Sequence, residues 1–127
     1  LFLDDARNPP LNEKGWVVVR TVKDGVDFLD HHGYLVTEIS LDNDLGPDPQ
    51  GYRLLEEILK EHQMDPFPLL KKIVIHTGNL PKWRLMREMA RGCGPEVIRR
   101  VPHDRLYPHA SEDVRPVTPY RWRSMNG

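Results

Sequence analysis

Apolar positions along the chain follow two alternating patterns. Short β-type runs at Leu1–Leu3, Trp16–Val19, Glu38–Leu41 and Ile73–Ile75 are separated, after the second, by stretches with helical spacing. In Val22–His32, the residues Val22, Val26 and Leu29 stand at i, i+4 and i+7, and Gly33 is a suitable C′ residue to end the helix. Gln50–His62 carries Tyr52, Leu55, Ile58 and Leu59 as an apolar stripe, with Glu56, Glu57, Lys60 and Glu61 on the wet face, before Pro66 and Pro68 stop it. Pro81–Arg91 opens on a proline suited to a first helical turn, sets Leu85 and Met89 on one side and ends at Gly92.

Continuous apolar strands alternating with helices predict an α/β fold with a parallel sheet covered on both faces and right-handed crossovers. The exception is the stretch from Asp5 to Trp16, where Asn8, Pro9, Pro10, Asn12 and Gly15 forbid a regular helix and predict a loop. Val97–Val101 offers a fifth strand, weakened by Arg99 and Arg100, so the sheet is expected to have four or five strands. A chain of 127 residues buries one core. The expected division is an α/β domain over 1–98 and a C-terminal extension over 99–127, packed on the domain or partly extended.

Charge changes the picture only at that extension. Arg99, Arg100, Arg105, Arg115, Arg121 and Arg123 face Asp104, Glu112 and Asp113 there, so the tail is locally basic in a chain of formal net charge −1. Tyr107, Tyr120 and Trp122 lie among those arginines, a mixture suited to phosphates and base stacking, to a protein partner, or simply to packing on the domain. No apolar run approaches the roughly 18 residues of a membrane span, and LFLDD does not read as a signal peptide. Cys93 is the only cysteine, which excludes an internal disulfide and predicts a cytoplasmic protein. The other histidines, His31, His32, His62, His103 and His109, lack ligand-like spacing.

Ligands of open parallel sheets bind beyond the carboxyl ends of the strands. Those ends are polar here: Asp4-Asp5, Arg20-Thr21, Asp42-Asn43-Asp44 and His76-Thr77-Gly78-Asn79. Clustered carboxylates repel one another unless a cation neutralises them, and hard oxygen donors suit Mg²⁺, with Mn²⁺ as the alternative. The competing reading is that Asp4, Asp5 and Asp44 cap turns.

LFLDD, the acid at LDND, Gly51 before a helix and IHTGN resemble a response-regulator receiver domain. The resemblance implies a receiver-like, flavodoxin-like three-layer fold, with Asp4 and Asp5 as metal ligands, Asp42 as phosphoacceptor, Thr77 against a phosphoryl group and Asp44 giving a further metal ligand through its carbonyl. The ARNPPLNEKG loop replaces the usual first helix, and Arg100-Val101-Pro102 stands where a Lys-Pro is expected. Those departures, with Leu3–Arg7, Arg20, Asp42, Asp44–Gly46, Gly51-Tyr52, His76 and Asn79, are similar to the divergent cyclic-phosphate processing receiver domain, over residues 1–92. Asn43 departs from that pattern, where a histidine is expected.

That resemblance implies a Mg²⁺-dependent phosphoesterase acting on 2′,3′-cyclic phosphate RNA ends or a related cyclic nucleotide, in RNA repair or biological conflict. Asp42, His76, Asp44 and Thr77 are the expected catalytic residues, and Arg7, Arg20, Thr77 and Asn79 the expected phosphate ligands. Asp4, Asp5, Asp42 and Asp44 are expected to hold the metal. His76 is expected to serve as acid or base, with Asp44 orienting it or activating water. Two other classes stay open: a non-catalytic phosphoacceptor or phosphate-binding module, and a protein that binds nucleic-acid ends through its arginine-rich tail.

Overall fold

The structure is a computed structural model that describes residues 1–45, 50–101, 107–110 and 118–119. Strand β1 (Phe2–Leu3) is followed by a loop, then β2 (Val17–Val19), helix α1 (Val22–His32), β3 (Glu38–Leu41), α2 (Gly51–Met64), β4 (Lys72–Ile75), α3 (Leu80–Met89) and β5 (Glu96–Arg99). A further short strand, β6 (Thr118–Pro119), comes from the tail. The strands form a parallel sheet in the order β5-β4-β3-β1-β2-β6. Leaving β6 aside, this is the flavodoxin-like order, with β1 beside β3 at the point where the winding reverses. The loop expected between the first two strands is present, and the fifth strand begins at Glu96. β6 is a sixth strand that the apolar pattern did not reveal, because its residues carry no β-type run.

Alternation along the strands sorts side chains between two faces. Leu1, Leu3, Val19, Ile39, Leu41, Ile73 and Ile75 join Val22, Phe28, Leu29, Leu54, Leu55, Ile58 and Met86 in one core, so α1, α2 and α3 share a single face. Phe2 and Val18 point the other way, where they pack with Tyr107 and, less deeply, Trp16. The second face is therefore covered by the first loop and the tail among the described residues, where the sequence pattern predicted cover without saying of what kind.

Two local expectations change. Gly33 is not in a left-handed turn: its φ is −56°, and the chain continues into a 3₁₀ turn over Gly33–Leu35. What requires glycine there is packing, since an ideally placed Cβ would lie 2.6 Å from Phe67 Cε1. Helix α3 buries Met86 while Leu85 is exposed, because its inward line runs through Trp83, Met86 and Met89 at threefold spacing. At its described residues, the C-terminal extension makes contacts with the domain. Tyr107 lies fully in the second core, and Pro108 and Ala110 bond to the first loop, Asn8 N donating to Pro108 O (2.8 Å) and Ala110 N to Ala6 O (2.9 Å). The expectations for the tail that rest on residues 102–106, 111–117 and 120–127, Tyr120 and Trp122 among them, lie outside the described residues, as do residues 46–49.

Candidate metal and phosphate site

The carboxyl ends of β1, β3 and β4 open into a cavity of about 650 Å³ lined by Asp4, Asp5, Ala6, Arg7, Asp42, Asn43, Asp44, Gln50, Thr77, Gly78, Asn79 and Lys82. Asp4, Asp5 and Asp42 each bring a carboxylate oxygen to within 4.8 Å of the others. They come from two strands that pair directly, with Leu3 beside Leu41 in register. Asp4 is buried at 2% exposure, Asp42 is half-buried and Asp5 is exposed. Burial and the neighbouring Asp4 charge push Asp42 up to about 8, and the same two causes raise Asp5.

The cluster fits a hard divalent cation on its donor set: three oxygens from three carboxylates, crowded enough that the Asp4 charge adds to burial in raising Asp42 and Asp5, with no sulfur or imidazole among them. Bound there, a divalent ion would offset the repulsion that now makes ionising Asp42 costly. Asp44 stands apart from this trio. Its backbone N–H donates to Asp42 Oδ1 (3.2 Å), and its side chain is exposed on the rim.

Capping and site geometry coexist at Asp4. Its Oδ1 accepts from the backbone N–H groups of Ala6 and Arg7, both at 2.9 Å, while Oδ2 lies 3.1 Å from His76 Nε2. The turn-capping expectation and the convergence expectation therefore describe the same residue. The loop they hold carries Arg7 to the cavity wall, where its Nη1 also donates to Tyr107 O (2.8 Å).

Two expected site residues, the phosphate ligand Arg20 and the catalytic His76, do not line the cavity. Arg20 does not line the cavity; its guanidinium lies beneath the first loop and donates to Asp4 O (3.0 Å), Arg7 O and Asn8 Oδ1. The reason is that β2 ends one strand beyond β1, so the side chain reaches the loop before it reaches the acids. His76 is fully buried and does not line the cavity either. Ile73 and Ile75 face the helices, so His76, an odd step further, joins the opposite face and stacks on Phe2 and Tyr107, with ring centroids 4.7 Å and 5.2 Å away. Desolvation pushes its pKa down, opposed by the bond to Asp4. Its two ring nitrogens meet Ser40 and Asp4, so Asp44 does not orient it.

Thr77 and Asn79 line the cavity as expected. The Thr77 hydroxyl accepts from Asn79 N (3.1 Å), and Asn79 Oδ1 accepts from Lys82 N (3.1 Å) as the N-cap of α3. This capping fixes the amide of Asn79 with its nitrogen free to donate elsewhere. Lys82 and Gln50 also line the cavity, although neither directly follows a strand, the place where parallel sheets usually present their ligands. Lys82 sits in the first turn of α3, three residues past its Asn79 cap, a spacing that did carry the signal.

Comparison with known proteins agrees with the receiver-like fold. The family model described as the Cyclic-phosphate processing Receiver domain matches residues 1–92. No curated protein and no solved structure matches the chain.

Proposed function

Since the chain belongs to the cyclic-phosphate processing receiver domain family, over residues 1–92, we propose that it is a divalent-metal-dependent phosphoesterase that opens cyclic phosphates, with 2′,3′-cyclic RNA ends or a related cyclic nucleotide as substrate. The observation that carries this reading is the meeting of opposite charges in one cavity, whose lining includes the Asp4-Asp5-Asp42 cluster together with Arg7 and Lys82. Acids alone would suit a cation, and bases alone an anion. Both together suit a metal-bound phosphate.

Asp4, Asp5 and Asp42 hold the cation, with Mg²⁺ favoured and Mn²⁺ accepted. When bound, the ion supplies charge neutralisation for the phosphoryl oxygens. Arg7 and Lys82 bind non-bridging oxygens, Arg7 through its planar fork and Lys82 as a point charge. Asn79 and Thr77 donate hydrogen bonds to the same oxygens. Asp44, exposed at the rim, takes a proton from the attacking water. The water oxygen bonds to phosphorus, the bond from phosphorus to one ribose oxygen breaks, and that oxygen gains a proton from solvent. The product is a phosphomonoester. Arg20 contributes indirectly, by holding the loop that carries Asp5 and Arg7.

The test is incubation of the purified chain with a 2′,3′-cyclic-ended oligonucleotide and Mg²⁺, beside Asp42→Ala and a chelator control. Conversion to a monoester by the wild type, abolished in both controls, is expected. No turnover across cyclic-ended RNA and cyclic nucleotides would remove the proposal. An acid-labile adduct on Asp42 after exposure to acetyl phosphate, without ester hydrolysis, would favour the phosphoacceptor class instead. Nucleic-acid binding that falls with salt but survives Asp42→Ala would favour the tail-mediated class.

A further inference from the structure

Behind the carboxylate cluster runs a short chain of polar groups with no access to solvent. Ser40 Oγ on β3 lies 2.7 Å from His76 Nδ1, and His76 Nε2 lies 3.1 Å from Asp4 Oδ2. Ser40 is 2% exposed and His76 is 0% exposed. The ring lies almost parallel to Phe2 (5°) and close to parallel with Tyr107 (23°), two rings that also pack on each other 5.8 Å apart, and this aromatic cluster constrains its orientation.

The proton positions follow from the partners. A carboxylate only accepts, so Nε2 carries the hydrogen; Nδ1 is then an acceptor, and the Ser40 hydroxyl donates to it. Asp4 is thus gripped from two sides. Its Oδ1 takes two backbone N–H groups and its Oδ2 takes the imidazole. Of the roughly four acceptor positions of a carboxylate, this leaves one, on the His76 side oxygen, to share with a cation.

From this geometry we propose that Ser40 and His76 form a positioning pair that fixes the rotamer of Asp4 and so sets the cation affinity of the cluster. His76 is then a positioning residue and does not exchange protons with the substrate. The proposal rests on the reading of Asp4, Asp5 and Asp42 as a metal site. A purely space-filling role explains the burial poorly. The neighbours on this face, Phe2, Val18 and Tyr107, are apolar or aromatic, and burying an imidazole and a hydroxyl among them is costly unless each hydrogen bond is made. Partners that orient metal ligands typically change affinity by about 10–100-fold when removed.

The experiment measures Mn²⁺ binding by electron paramagnetic resonance of the free ion, using the full chain as wild type, His76→Leu, His76→Gln and Ser40→Ala. Circular dichroism and thermal melting report the folded fraction. His76→Leu should weaken Mn²⁺ binding by about 10–100-fold in protein that is still folded. His76→Gln, whose amide nitrogen can stand where Nε2 stood, should recover most of that loss. Ser40→Ala should fall between wild type and His76→Leu. A lower melting temperature with unchanged Mn²⁺ affinity in folded His76→Leu would overturn the pairing, because a structural residue moves only the first quantity. If His76→Leu does not fold, Ser40→Ala decides: weakened binding supports the pair, and wild-type affinity overturns it. A wild type that binds no Mn²⁺ overturns the metal reading itself, and the positioning role with it.

Discussion

An ideally placed Cβ on Gly51 would lie 1.8 Å from the carbonyl oxygen of Asp42, closer than any real side chain can approach a backbone. Gly51 opens α2 and donates its N–H to Asn43 O (2.9 Å), while Asn43 Oδ1 accepts from Tyr52 N (3.1 Å). The first turn of α2 is thus pressed directly onto the strand end that carries Asp42. The relevant property of this glycine is its lack of a side chain. Gly51→Ala is expected to cost at least about 1–3 kcal/mol of stability, the usual penalty for overpacking, by forcing backbone to move against backbone. Because the backbone that moves belongs to Asp42, Mn²⁺ affinity should fall as well. Urea unfolding and a Mn²⁺ titration check the two effects; unchanged values of both would mean the contact is relieved without moving Asp42.

The metal-free cluster makes stability depend on pH in a defined direction. Asp42 is raised from 3.8 to about 8 in the folded chain. Between those values the native state keeps a proton that the unfolded chain has released, so stability falls as pH rises through this window. Asp5 is shifted the same way, and Glu61, beside Asp30, is raised to about 7, adding to the decline from a separate place. His76, lowered by burial, opposes this, so it is the part of the pH dependence carried by Asp42 that should fall in thermal melts from pH 4 to 9 in chelator. Saturating Mg²⁺ should flatten most of the fall, and Asp42→Asn should flatten part of it without metal. An Asp42→Asn profile as steep as that of the wild type in chelator would contradict the shift assigned to Asp42.

The convergence of these acids was legible in the chain because it needs only two facts: where apolar runs stop, and that parallel strands stop on the same side. Asp4, Asp5 and Asp42 follow from them. His76 and Arg20 do not, because a strand end fixes where the backbone is but leaves open which way the side chain turns. For His76 the information was present in the alternation Ile73, Val74, Ile75, which sends the next residue away from the helices. For Arg20 it was not, since its destination is the backbone of a loop whose path no periodicity describes. The tail was unreadable for a related reason. Tyr107 is buried against Phe2 and His76 by a long-range return of the chain, and its flanking residues carry neither helical nor strand spacing.

Tyr107 lies outside the residues the family model covers, yet it closes the face that holds His76. Its ring is fully buried, and its carbonyl anchors Arg7. The hydroxyl has Arg100 and Ser40 beside it but meets no hydrogen-bond geometry among the described residues. Tyr107→Ala should then cost about 3–5 kcal/mol, as expected for removing a buried aromatic ring. Tyr107→Phe should stay within about 1 kcal/mol of wild type, since no well-formed bond is lost. Denaturant melts of the two variants separate the ring from the hydroxyl. A Tyr107→Phe penalty as large as that of Tyr107→Ala would show that the hydroxyl is bonded after all.

Lys82 and Arg7 allow the phosphate side of the cavity to be tested apart from its metal side. Both line it, but Arg7 is also tied to Tyr107 O, whereas Lys82 is half-buried in the first turn of α3, where its backbone N–H is held by the Asn79 cap. Truncating Lys82 at its side chain leaves that cap intact. Lys82→Met should therefore leave stability within about 0.5 kcal/mol of wild type, while weakening binding of the cyclic-phosphate substrate by about tenfold, the lower end for a lost hydrogen bond to a charged group. Arg7→Met should lower both, because the loop and the ligand lose a partner together. Mn²⁺ affinity should not fall in Lys82→Met and should rise modestly, since a cation near three carboxylates has been removed. A Lys82→Met protein that binds substrate as well as wild type would remove this residue from the phosphate site and leave Arg7 as its cation.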